Sequence, residues 1–373
     1  MNKFVVAVTA AVGLATAVTA ADARELRVAP GAPPAHPSNS HLYQKLVEYL
    51  PEESDGALTA RLLGPEVASL GQMKDAIQSQ LVEVGNLLPL YFPADLPNMA
   101  LAGELALSGR SPQAMAAAMT EYMVTCDTCQ TELKDFGMVY LGSGSSDVYT
   151  LLTKEPIETA DDLQGVRLRS GGAPFSRWAE NFGAVPVNVS VLDTFESLSQ
   201  GTIDGTMASV ADLLSFRLID LVDNVAVMEI GTYHATSDFT VGEAAWQSLS
   251  VDERAALARA ANRANVDFTY RWGYEMPKEA IQAAKDAGIE FVEPSQELIE
   301  ASNAFAEKDV QNAIERSRDQ FGLSDAEERV NRFLELVDKW TAIVEETGTD
   351  PAKLAEKTQS EIWDKVDYAS YGL

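Results

Sequence analysis

Cysteine, histidine and positive charge are all scarce in this 373-residue sequence. Lys and Arg total 28 against 56 Asp and Glu, a formal net charge of −28. So few cations exclude wholesale nucleic-acid binding, which needs clustered Lys and Arg to neutralise phosphates. The same deficit argues against docking on anionic lipid. Three scattered histidines, His36, His41 and His234, give no metal-ligand spacing and leave acid–base work to carboxylates, of which no pair stands out. No G-x-S-x-G, H-E-x-x-H or dinucleotide fingerprint occurs. An enzyme is therefore not expected, and neither is a cofactor or a metal. Beyond the N-terminus no stretch approaches the roughly 18 consecutive apolar residues of a membrane span, so no direct membrane insertion is expected.

What is present describes an exported, folded protein. Hydrophobic residues make up 46% and charged residues 23%, enough for an ample core in two domains or one large one. Met1 to Lys3, an apolar, small-residue run to about Ala20 and the A-x-A site Ala21-Asp22-Ala23 read as a signal peptide over 1–23, cut before Arg24. Lys3 and Asp22 cancel, so the mature chain keeps the full negative charge. The two cysteines, Cys126 and Cys129, fall late in a helix expected to start near Ser111-Pro112, a poor position for lowering a thiol pKa. A local structural disulfide in an oxidising compartment is the leading reading. Inert thiols and redox or metal chemistry are the alternatives.

Hydrophobic spacing alternates between two periods along the chain. Strands are expected at Leu26–Ala29, Ala57–Leu62 and Val82–Gly85, with helices after Ser40 and from Ser69-Leu70-Gly71. A second run has strands at Val148–Leu152, Val166–Arg169, Val185–Val187 and near Thr202–Thr206, with helices at about Pro174–Phe182 and Asp193–Gln200. This pattern predicts largely parallel sheets with helices on both faces. Past Ser250, long amphipathic helices dominate to Trp340, interrupted by a strand-like Gly288–Pro294 segment. The fold class is thus α/β, two lobes followed by bracing helices.

The informative local feature is Val166-Arg167-Leu168-Arg169-Ser170-Gly171-Gly172. Ligands of open α/β sheets bind beyond the carboxyl ends of strands, and Arg169 stands at such an end. Gly171 and Gly172 allow close backbone approach, and the next helix offers its N-terminal N–H groups. A guanidinium there could grip a carboxylate bidentately. The plainer alternative pairs Arg169 with Asp161, Asp162 or Glu180. Aromatic residues near strand ends form a second group: Tyr91, Phe92, Tyr149, Phe175, Trp178, Tyr233 and Phe239. Gly142-Ser143-Gly144-Ser145-Ser146 reads as an inter-lobe turn; it lacks the Lys and helix of a phosphate loop.

These residues resemble the solute-binding proteins of tripartite ATP-independent periplasmic (TRAP) transporters, dicarboxylate-binding type, from about Leu26 to past Val330. The marks are Ala35-His36-Pro37, Ser69-Leu70-Gly71, Asp162-Leu163-Gln164-Gly165-Val166-Arg167-Leu168-Arg169, Phe182-Gly183-Ala184-Val185-Pro186-Val187, Gln200-Gly201-Thr202-Ile203-Asp204-Gly205, and Trp246 with Leu249 and Arg254. The resemblance implies a periplasmic binding protein with a cleft between lobes, crossed by an unusually long helix and closing around an organic acid. It would hand that acid to the small and large membrane subunits of a TRAP permease. Lobe I would span 24–148 with about 233–275 returning to it, and lobe II 149–232, with about 276–373 bracing both.

The family's carboxylate-binding Arg falls on Arg169. A second Arg found in many members is replaced here at Val148 or Tyr149, and an Asn is replaced by Ala208, beside Met207 and Ser209. A pocket without those donors should not reward a second carboxylate or an array of sugar hydroxyls. The expected ligand is a monocarboxylate with an apolar or aromatic body. Candidate ligand-binding residues are Arg169, Tyr149, Phe175, Met207, Ser209, Tyr91 and His36. The alternatives are a sugar acid or C4-dicarboxylate binder on the same fold, a periplasmic sensor, or an extracytoplasmic enzyme.

Overall fold

The computed structural model describes residues 23–373. The signal-peptide reading of 1–23 lies outside the described residues but for Ala23. Among the described residues eleven strands form, β1 (Arg24–Ala29), β2 (Leu58–Leu62), β3 (Val84–Leu87), β4 (Met138–Tyr140), β5 (Thr150–Thr153), β6 (Arg167–Ser170), β7 (Val185–Asn188), β8 (Gly205–Ala208), β9 (Asn224–Ala226), β10 (Ser237–Gly242) and β11 (Glu290–Val292). They build two sheets, ordered β2-β1-β3-β10-β4 and β11-β9-β5-β8-β6-β7. Both are mixed rather than largely parallel. β10 runs antiparallel to β3 and β4, and β5 antiparallel to β8 and β9. The reason is connectivity: the chain returns from the second lobe to the first as β10, entering that sheet from the opposite direction.

Long helices tie the sheets together. Ser250 opens one with a capping box, its hydroxyl accepting from the Glu253 N–H and the Glu253 carboxylate accepting from the Ser250 N–H. The helix Val251–Tyr270 continues through a wide π turn, Arg271–Glu275, into Met276–Ala287 and stops at Gly288, whose φ of +84° favours glycine. At 1.5 Å per residue this run is about 55 Å long. Its first part packs on the helix Gln44–Glu53 of the first lobe. Its last part buries Ala280 and Ala284 in the core of the second lobe with Leu152, Leu198 and Val225. One helix thus belongs to both lobes, with the π turn between them.

Two local expectations shift. The strand placed near Thr202–Thr206 forms one turn later as β8, because Thr202 and Ile203 donate back to the Ser197 carbonyl. The cysteine pair does not lie late in a helix. The helix Pro112–Thr125 ends before it, and Cys126 caps the next, Asp127–Asp135, its sulfur accepting from the Cys129 N–H. The two sulfurs are joined in a disulfide. Among the described residues no helix is long and apolar enough to cross a membrane.

Candidate ligand-binding site

Arg169 sits on β6 between two parallel neighbours, β7 and β8. The Asp204 carboxylate fixes that register by accepting from both the backbone N–H and Nε of Arg167, each at 2.9 Å. These hydrogen bonds hold Asp204 below its ordinary carboxylate range. Leu168 lies in the core; Arg169 shares the opposite face of β6 with the half-exposed Arg167 but is itself buried, at 2% exposed. Its Nε donates to the Val189 carbonyl at 3.1 Å and its Nη2 to the Tyr91 hydroxyl at 3.3 Å. Among the described residues it has no ion pair. Asp162, a proposed partner, instead accepts from the backbone N–H groups of Glu158 and Thr159. A buried cation without a paired anion is expensive, and Arg169 offers its remaining N–H groups to an enclosed space.

That space lies between the lobes, a narrow cavity of about 40 Å³. Lobe I supplies Asn86 from β3, Tyr91 and Asp238; lobe II supplies Tyr149, Arg169 and Asp212; the long helix adds Phe268 and Trp272 on either side of its junction with the π turn. π turns often mark functional positions, because the extra residue displaces side chains from the regular helical face. The Tyr91 hydroxyl accepts from Arg169 and also from the Val191 N–H at 3.0 Å, so one lobe I side chain fastens two groups of lobe II. Phe175, Tyr149 and Tyr233 stack in series, with centroids 5.0 and 6.2 Å apart. Opposite them His36 packs on Phe216 and Trp272 at 5.3 and 5.4 Å. Burial lowers the His36 pKa to about 3, leaving it neutral.

Two acids face the same cavity. Burial pushes Asp212 up to about 6, against the pull of the Ser215 hydroxyl and the Arg169 charge. Burial also pushes Asp238 up to about 7; the Thr236 hydroxyl and the Gly144 N–H stand close enough to moderate the rise, but they bond to each other's residue and leave both Asp238 oxygens without a hydrogen bond. Arg169 is the one cationic side chain among the described residues of the lining, since His36 is neutral. The electrostatics favour one carboxylate at Arg169 and oppose a second one elsewhere.

The structure gathers Arg169, Tyr91, Tyr149 and His36 on the cavity wall, with Tyr233 beside them. Phe175 is fully buried behind Tyr149 and does not line the space. Met207 lies in the core opposite Leu151 of β5. Ser209 accepts from the Ala211 N–H at 3.0 Å, and its carbonyl accepts from the Asp212 N–H, so it shapes the turn that presents Asp212. Trp178 donates to Ser302 and Phe239 packs on Tyr43, both in the core. No residue from the first turn of the helix Ala173–Asn181 reaches the lining. Gly171 stands beside the anchor: a Cβ there would lie in ordinary contact, 3.4 Å from the Arg169 guanidinium and from the Tyr233 ring. Sequence reasoning missed Asn86, Asp212, Phe216, Asp238, Phe268 and Trp272. Asp238 carried a usable signal, an acid inside a six-residue strand that is buried throughout.

A two-lobed α/β protein with an enclosed, aromatic-lined cavity and one unpaired buried Arg is built to bind a small anion. The chain belongs to the family described as bacterial extracellular solute-binding protein, family 7 (DctP), whose profile matches residues 28–317. That family consists of binding proteins rather than enzymes. Over 158 residues the chain is 25% identical to the 2,3-diketo-L-gulonate-binding periplasmic protein YiaO of Escherichia coli, a match covering 42% of this chain and 46% of that protein. The chain spans about half the length of the curated relatives it matches. Among solved structures, it resembles a marine metagenome TRAP solute-binding protein specific for aromatic acids, in complex with 3-hydroxybenzoate. The TM-score is 0.75 at 23% identity, covering 86% of this chain and 99% of that one. A TRAP solute-binding protein from Rhodoferax ferrireducens, in complex with copurified benzoate, gives a TM-score of 0.76 at 20% identity over 86% and 99% of the two chains. At these identities the structures speak to the fold.

Proposed function

We propose that this protein captures a monocarboxylate with an aromatic or largely apolar body outside the cytoplasm and delivers it to a TRAP-type membrane transporter. Export follows from the signal-peptide pattern over 1–23, and delivery would be to the small and large permease subunits. The observation that carries the reading is Arg169, buried and without an ion pair among the described residues, facing a cavity walled by Tyr91, Tyr149, Tyr233, Phe268 and Trp272. The carboxylate would neutralise Arg169 while the aromatic walls cover the body. The lining weighs against a diacid, whose second carboxylate would find two buried acids and no second cation. The aromatic-acid complexes of two structural neighbours, 23% and 20% identical, lend support; the sugar-acid name of the Escherichia coli relative, 25% identical, favours the alternative of a sugar-acid binder.

The test is calorimetric titration of the full chain with benzoate, mandelate and succinate, repeated on Arg169→Ala. A charge-assisted anchor in a closed site is worth about 2–5 kcal/mol, or roughly 30- to 4,000-fold in affinity. Binding of the aromatic acids, lost by that factor in the variant, is the expected result. Tight succinate binding with no response to benzoate, or unchanged affinity in Arg169→Ala, overturns the proposal.

A further inference from the structure

Several polar atoms on the cavity wall have no hydrogen-bond partner among the described residues. They are Asn86 Oδ1, the Tyr233 hydroxyl, both carboxyl oxygens of Asp238, and Trp272 Nε1. The four residues are 4%, 5%, 0% and 6% exposed respectively, so bulk water does not serve them. Native proteins rarely leave buried polar atoms unpaired, and each unmet one costs about 1–3 kcal/mol. Their concentration in one enclosed space describes the polarity of what binds there.

Asn86 Oδ1 and a carboxylate at Asp238 can only accept; Trp272 Nε1–H can only donate. Asp238 and the Phe268–Trp272 pair belong to one corner. A Cβ on Gly144 would meet Asp238 Oδ2 at 2.7 Å and Phe268 Cδ1 at 2.6 Å, and Phe268 stacks on Trp272 at 5.1 Å. Arg169, in contrast, projects from the second lobe, and its nearby acid is Asp212. A carboxylate in the Asp238 corner would meet no cation. An ammonium group would satisfy the acceptors but leave Trp272 unmet. A bare ring would satisfy nothing. A hydroxyl both donates and accepts, and so fits both kinds of group.

We infer that the ligand is a hydroxylated aromatic monocarboxylate. Its hydroxyl, remote from the carboxylate, donates to Asp238 and accepts from Trp272 Nε1–H. This rests on the reading of Arg169 as the carboxylate anchor. A neutral hydroxyl suffices because Asp238, raised to about 7 by burial, needs no full counter-charge near neutral pH. The corner thus replaces the second cationic anchor of a diacid binder with an acceptor that excludes diacids.

The full chain is titrated calorimetrically with benzoate, 3-hydroxybenzoate, 4-hydroxybenzoate and 3-(aminomethyl)benzoate, and so are Asp238→Leu, Asp238→Asn and Arg169→Ala. The better hydroxybenzoate binds at least about tenfold more tightly than benzoate, the scale of one charged hydrogen bond. Asp238→Leu abolishes that preference, and Asp238→Asn, which retains an acceptor, keeps part of it. If Asp238→Leu does not fold, the Asp238→Asn ratio decides: a preference undiminished from the parent overturns the inference. Equal or tighter benzoate binding overturns it too, as does tightest binding of the aminomethyl acid or a preference that survives Asp238→Leu. Failure of the underlying reading looks different. In that case none of the four acids binds, or Arg169→Ala leaves all affinities intact, whereas a correct anchor makes them fall together.

Discussion

Replacing Arg177 with Met should weaken the whole molecule without touching the ligand. Arg177 lies on the helix Ala173–Asn181 of the second lobe. It reaches Glu104 of the first lobe at 2.5 Å and grips Asp309 of the helix Gln296–Phe321 through two N–H···O contacts of 2.7 Å. Glu104 and Asp309 are 1% and 2% exposed. Met keeps much of the apolar stem, so the charge is the main loss. Asp309 would retain Asn312 at 3.0 Å and Glu104 would retain Arg316 at 3.3 Å. Removing one partner of a buried pair costs about 3–5 kcal/mol. The surviving contacts and the 18% exposure of Arg177 put the expected loss near 3 kcal/mol. For a chain this long, that corresponds to a melting temperature about 5 °C lower. Urea unfolding followed by tryptophan fluorescence would measure it. Adding Glu104→Gln to the variant should recover about 1 kcal/mol, because one orphaned charge disappears. Affinity for the bound acid should stay within about threefold, since none of the three residues lines the cavity. A loss below about 1 kcal/mol, or a double variant weaker than the single, would refute the reasoning.

Further outcomes follow from the site. Tyr91→Phe removes an oxygen that accepts from both Arg169 and the Val191 N–H; calorimetry should show affinity for the anchored acid reduced about 5- to 30-fold, by one to two lost hydrogen bonds. The stability of Asp238→Asn relative to the parent should rise with pH. The folded pKa of Asp238 is raised from 3.8 to about 7, so its protonated form favours folding below about 4 and that advantage is lost as pH rises through 7. Ligand-free urea unfolding at pH 4.5 and 8 should show the variant gaining a few kcal/mol between them, and a constant difference would count against a buried, unpaired carboxyl.

The order of strands and helices was largely legible, because burial of one face imposes periods of 2 and 3.6 residues within each element. Arg169 was legible too: a cation at the carboxyl end of a strand in an α/β lobe has few structural reasons to be there. Phe268 and Trp272 were not. Their spacing of four on an amphipathic helix reads as an ordinary core stripe, and only the π turn and the crossing between lobes bring them to the cavity. Met207 and Ser209 show the converse: adjacent in sequence to a candidate position, neither lines the cavity, because Met207 packs in the core from β8 and Ser209 is used in the turn that follows it.

Sequence alone determined the class of molecule: an acidic chain with two α/β runs, long bracing helices and one Arg at the carboxyl end of a strand. Those features are local, written in composition, periodicity and strand ends. The tertiary structure decided what surrounds that Arg. His36, Tyr91, Arg169, Asp212, Asp238 and Trp272 come from segments far apart in the chain. They become neighbours only where two sheets exchange strands and a helix passes between them. Whether an acid such as Asp238 is solvated or stranded in a closed cavity depends on that packing, and its pKa and its demand for a hydrogen-bond donor depend on it in turn.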